Sequence, residues 1–111
     1  MGVVESGLIE LEAETVAALL AAGEAVVVDV REIHEWSAER IAGAVWQPLS
    51  EFDAESWPSF PGRKTVIACK GGIRSALVAE RLMAAGHPWA IHLKGGLEAW
   101  KDAGLPLEEG E

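Results

Sequence analysis

Short runs rich in β-branched residues alternate along this chain with stretches whose apolar residues recur every three or four positions. That alternation predicts a parallel α/β sheet, because strands and amphipathic helices that follow one another in this way pack as layers. Residues 8–11 read as a short edge strand. Residues 13–22 read as a helix, with Val16, Leu19 and Leu20 on its apolar face and Gly23 as its C-terminal stop; Glu12 is a poor cap. The run at 25–30, AVVVDV, has the unbroken apolar character of a central parallel strand, interrupted only by the carboxylate of Asp29.

Further along, 32–38 suits a short helix. Residues 44–47 suit a short strand closed by Pro48. The proline-bearing stretch 51–63 reads as a helical turn and then a loop. Residues 65–69, TVIAC, form another buried strand pattern. A helix opening at Arg74 or Ser75 runs to Ala85, with Ile73, Leu77, Leu82 and Met83 expected to face inward. Gly86 stops it, and Pro88 cannot continue it. Residues 89–93 give the last strand and 97–103 the last helix, ended by Gly104 and Pro106. The acidic tail EEGE is expected to fray. The pattern predicts one domain over 1–111, its ordered core at about 7–107.

Composition narrows the function classes. Half of the 111 residues are hydrophobic, which suits a globular chain. The apolar run at 17–22 is far short of a membrane span. The first residues lack the basic and apolar regions of a signal peptide, so a cytoplasmic protein is expected. A net charge of −9 argues against nucleic-acid or anionic-membrane partners, which use basic surfaces. The single cysteine excludes an internal disulfide and a cysteine-rich metal cage, and neither a metal nor a cofactor is expected.

That cysteine is the centre of the candidate chemistry. Cys69 ends a predicted strand, a glycine-bearing loop follows, and a helix begins. In open α/β sheets this is where ligands bind. Gly71 and Gly72 let the loop curl so that successive N–H groups point inward. The helix start adds unsatisfied donors and a positive dipole end, and Lys70 and Arg74 add full charges. Such a cradle favours a thiolate over a thiol and holds an oxyanion or a persulfide. A buried, inert cysteine is the alternative.

Four segments resemble the rhodanese family in order and spacing. They are DVREIHEW, from Asp29 through Arg31 and Glu35 to Trp36; RIAGA, from Arg40 to Ala44, with Pro48 and Leu49; CKGGIRS, from Cys69 to Ser75; and LKGGLEAWKDAGLP, from Leu93 to Pro106. Nearly the whole chain is covered. The resemblance implies a three-layer α/β fold, with a five-stranded, mostly parallel sheet and helices on both faces. It implies sulfur transfer from thiosulfate or a similar small sulfane donor to a thiol or protein acceptor, through a persulfide on Cys69. Residues Lys70, Gly71, Gly72, Ile73, Arg74 and Ser75 would bind the substrate. The related phosphatases and arsenate reductases have five residues between the cysteine and the position of Arg74; here there are four, which favours sulfur transfer. The chain departs from the family at Glu39 and Arg40, where Gly-His is frequent, and at Trp46, where Asn is frequent.

Other residues take quieter readings. Asp29, Arg31 and Glu35 are expected to support the loop as an ion-pair network, with Glu35 as a partner for Arg31. His34, His87 and His92 lack metal-binding spacing, and a thiolate held by amides needs no base. The five tryptophans read mostly as core, with Trp46 or Trp57 a possible pocket border, and Gly95 and Gly96 read as a tight turn. A delivery partner for one protein acceptor and a catalytically silent interaction module are the competing function classes.

Overall fold

The computed structural model describes residues 2–4 and 7–110. In chain order the elements are β1 (Gly2–Val4), β2 (Leu8–Leu11), α1 (Ala13–Ala21), β3 (Ala25–Asp29), α2 (Ile33–Ala38), β4 (Glu39–Arg40), β5 (Val45–Trp46), β6 (Lys64–Ala68), α3 (Ile73–Ala84), β7 (Ala90–Leu93), α4 (Gly96–Asp102) and β8 (Glu108–Glu109). Two 3-10 turns, Leu49–Glu51 and Ala54–Ser56, lie between β5 and β6.

Five strands pair in parallel in the order β2-β7-β6-β3-β5, and β1 adds an antiparallel sixth beside β2. β2 is therefore not an edge. The pairing partner precedes it by only a few residues, in a segment without strand periodicity. β3 is buried at every position, as its unbroken apolar run demands. Alternate side chains divide between two cores. One lies under α1 and α4 and gathers Leu11, Val16, Val27, Val66, Leu93, Leu97 and Trp100. The other lies under α3 and the 3-10 turns and gathers Val30, Ile67, Cys69, Val78, Leu82 and Ala90.

The helices follow their apolar periodicity with one exception. α3 buries Ser75, Val78, Ala79 and Leu82, a spacing of three and four along one face. Ile73 stands on the opposite side and is 83% exposed, so it does not face inward. α2 starts with a reciprocal capping box, in which Glu32 and Glu35 each accept from the other's backbone N–H.

Two further expectations change. Only Trp100 among the tryptophans is buried, and Trp89 is 59% exposed. Trp36 and Trp46 instead stack on each other, 6.3 Å between centroids. The acidic tail pairs rather than frays: β8 lies antiparallel to β4, and Arg40 donates to the Gly110 carbonyl at 2.6 Å. Arg40 also lies over Trp36 and approaches Glu108 at 3.7 Å, so a basic residue on β4 holds an otherwise self-repelling acidic segment. Glu111, the last residue of that tail, lies outside the described residues.

Candidate active site

β6 is central in the sheet. Its chain leaves through α3 toward β7, whereas β3 leaves through α2 toward β5 on the other side. The two departures open a crevice at the carboxyl ends of β3 and β6, the place where an open α/β sheet binds ligands. Cys69 is the first residue beyond β6.

Its sulfur is held by backbone. The Gly72 N–H donates to Sγ at 3.1 Å and the Ser75 N–H at 3.3 Å. Gly72 caps α3 with φ 102°, a left-handed conformation that side-chain-bearing residues rarely adopt, and this brings its N–H back over the sulfur. The first turn of a 12-residue helix adds its dipole. Cys69 as a whole is only 1% exposed. Above it a pocket of ≈ 290 Å³ is lined by Cys69, Lys70, Gly71, Ile73, Arg74 and Glu98.

The loop is braced from below by the Gly95-Gly96 turn. Gly96, at φ +63°, lies so close that a Cβ there would stand 2.5 Å from the Lys70 carbonyl oxygen and closer still to that of Cys69. The same approach lets Leu97 N–H donate to the Cys69 carbonyl at 2.9 Å and Glu98 N–H to the Lys70 carbonyl at 3.0 Å. The tight turn read from the sequence thus supports the backbone of Cys69 itself.

The charged residues divide their work differently from the expected network. Arg31 is buried and forked onto Asp29, with Nη2 to Oδ2 at 2.8 Å and Nε within 3.0 Å of both oxygens. Its remaining donors reach the carbonyls of Glu35 and Glu39. The Glu35 carboxylate does not pair with Arg31; it accepts two parallel bonds from Arg74, each 2.8 Å. The capping box turns that carboxylate across the crevice, where the start of α3 offers the guanidinium. The bidentate bond to Arg74 lowers the Glu35 pKa from the usual 4.5 to about 2. Arg74 therefore ties α2 to α3, and its charge at the pocket is largely answered by Glu35. Lys70 is exposed and also borders a neighbouring pocket of ≈ 460 Å³ with His34, Glu39, Glu98 and Lys101.

Sequence reasoning missed Glu98, which brings a negative charge to the pocket rim, and Glu10, and it set aside His92 as unneeded by the thiolate. His92 is 2% exposed; its Nδ1 lies 2.8 Å from Ser75 Oγ, and its Nε2 lies 3.1 Å from Glu10 Oε2. Ser75 Oγ is in turn 3.5 Å from Cys69 Sγ. A polar residue inside each of the apolar strands LIEL and AIHL was the available signal.

The Rhodanese-like domain model matches residues 12–103, so this chain belongs to the rhodanese-like family. A protein named only as a sulfurtransferase, from Allochromatium vinosum, is 31% identical, with 88% of this chain and 92% of the relative covered. An uncharacterized protein of Synechocystis sp. is 43% identical over 73% of this chain, which spans 45% of that relative. The solved structure of a thiosulfate sulfurtransferase from Pseudomonas aeruginosa matches with a TM-score of 0.78 at 35% identity, over 94% of this chain and 21% of that one. These likenesses bear out the α/β fold and support a sulfurtransferase family. Among the described residues, no helix is long and apolar enough to cross a membrane.

Proposed function

We propose that the protein is a thiosulfate sulfurtransferase in which Cys69 carries the sulfur. The observation that carries this reading is a sulfur at the floor of a pocket, held by two backbone N–H groups at a helix start, with Lys70 at the rim. The Cys69 thiolate attacks the outer sulfur of thiosulfate. The sulfur–sulfur bond of the donor breaks, and sulfite leaves with the bonding electron pair. A persulfide remains on Cys69, its terminal charge facing the loop amides. An acceptor thiolate then attacks the outer persulfide sulfur, and Cys69 leaves as the thiolate. As the only cysteine in the chain, Cys69 cannot resolve the persulfide as an internal disulfide, so the acceptor comes from outside. The reading places the protein in the cytoplasm, where reducing conditions keep such a thiol free.

Incubation with thiosulfate followed by intact-mass measurement tests the proposal. The expected result is a gain of one sulfur atom that a thiol reductant removes and that Cys69→Ala never acquires. An unchanged mass would refute the donor half-reaction. Delivery to a protein acceptor is a second reading, favoured by Ile73, a large apolar side chain that lines the pocket yet is 83% exposed. Turnover with cyanide or small thiols as fast as with any protein acceptor would count against it.

A further inference from the structure

We propose that Glu10, His92 and Ser75 form a proton relay, buried at Ser75 and His92 and half-buried at Glu10, that takes the thiol proton from Cys69. Parallel pairing sets Glu10 of β2 directly beside His92 of β7, and His92 beside Ile67 of β6. Side chains alternate along strands, so Glu10, His92 and Cys69 all fall on the face covered by α3. From that helix Ser75, 0% exposed, places its hydroxyl between the imidazole and the sulfur.

The chain of contacts accommodates both protonation states without leaving a donor unpaired. In the thiol form, Cys69 S–H donates to Ser75 Oγ, the Ser75 O–H donates to His92 Nδ1, and His92 Nε2–H donates to the Glu10 carboxylate. In the thiolate form, the S–H bond has broken and a new O–H bond has formed on Ser75. The former Ser75 proton has become an N–H bond on Nδ1. The serine then donates to the sulfur, and the imidazolium is answered by Glu10. The net change is thiol plus imidazole to thiolate plus imidazolium, with the serine unchanged. The loop amides stabilise the resulting anion, and the relay gives its proton a buried destination.

The surroundings contain few competing charges. Ile67 on β6 and Val78, Ala79 and Leu82 on α3 are apolar, and Glu10 pairs across β1 with Gly2. Among the described residues, the charged side chains at the Cys69 end are Arg74, which is committed to Glu35, and Lys70 and Glu98 at the pocket rim. His92 acts through Ser75 and is a positioning and proton-accepting residue.

The inference rests on Cys69 as the nucleophile. Its test reads alkylation of the thiol rather than sulfur transfer, so the two can fail separately. Wild type, His92→Asn and Glu10→Gln are treated with iodoacetamide across a pH series, with folding checked by circular dichroism. The amide introduced by His92→Asn can still bond Ser75 but cannot take a proton. Alkylation of that variant near neutral pH is expected to fall about tenfold, with the profile displaced to higher pH, and Glu10→Gln is expected to shift in the same direction by less. NMR of the His92 ring gives a second readout that needs no core substitution at His92. The imidazolium signal is expected to persist to higher pH in wild type than in Cys69→Ala. Folded variants whose alkylation profiles superimpose on wild type would overturn the relay. So would a His92 titration indifferent to loss of the thiol, which decides the matter if His92→Asn does not fold.

Discussion

Gly96→Ala probes how closely the backbone of Cys69 and Lys70 is braced, and Gly43→Ala supplies its comparison. Both glycines have positive φ, +63° and +79°, so both substitutions impose a left-handed alanine at a cost of about 1–2 kcal/mol. Nothing lies within 4 Å of a Cβ at Gly43, and its cost ends there. At Gly96 the new methyl would sit 2.5 Å from the Lys70 carbonyl oxygen and 2.6 Å from its carbon. Relief to ordinary contact requires the two strands of backbone to separate by about 0.8 Å, which stretches the bonds from Leu97 and Glu98 to the Cys69 and Lys70 carbonyls. Two weakened hydrogen bonds at about 1 kcal/mol each bring the total to about 3–4 kcal/mol. At roughly 4 °C per kcal/mol for a domain of this size, Gly96→Ala should melt about 12–16 °C below wild type and Gly43→Ala about 4–8 °C below. Calorimetry or circular dichroism gives both melting points. Alkylation of Cys69 in the folded Gly96→Ala protein should also slow, because the Gly72 amide rides on the displaced loop. Equal melting points for the two variants would refute the argument that the Gly-Gly turn supports the cysteine loop.

Other perturbations separate the remaining interactions. Because the Glu35 pKa is lowered from 4.5 to about 2, its bond to Arg74 stabilises the fold fully above about pH 4.5 and less as the pH falls toward 2. Thermal melts should therefore show Glu35→Gln about 1–2 kcal/mol less stable near neutrality, a figure discounted for solvent screening, with the gap closing in acid; a gap independent of pH would contradict the pairing. Arg31→Met strands the buried Asp29 carboxylate and should cost about 3–5 kcal/mol in urea titration, while a cost under about 1 kcal/mol would mean that Asp29 finds other partners. Lys70→Ala should raise the thiosulfate KM about threefold to tenfold at low salt, and unchanged kinetics would make Lys70 a solvated charge with no part in donor binding.

The order of the main strands and helices, β2 to β3 and β5 to α4, was legible in the chain because burial on two faces leaves an unbroken apolar run, as in β3, and burial on one leaves a helical stripe, as in α3; the short strands β1, β4 and β8 were not. Cys69 was legible too, since strand, glycines and helix start are contiguous and each acts within a few residues of the sulfur. Other features depend on neighbours distant in sequence. Whether Leu8–Leu11 was an edge depended on a pairing partner without strand periodicity. Glu35 had two arginines to choose from, and only the crevice between α2 and α3 brought Arg74 within bidentate reach while Arg31 was spent on Asp29. The acidic tail looked self-repelling until β4 brought Arg40 beneath it. Glu10 and His92 are 82 positions apart, each a single polar residue in an apolar strand. Local periodicity sets which face a side chain takes on its own strand; which strand lies alongside, and in what register, is decided by long-range packing. Tertiary structure alone therefore lined up a carboxylate, an imidazole and a hydroxyl beneath the thiol.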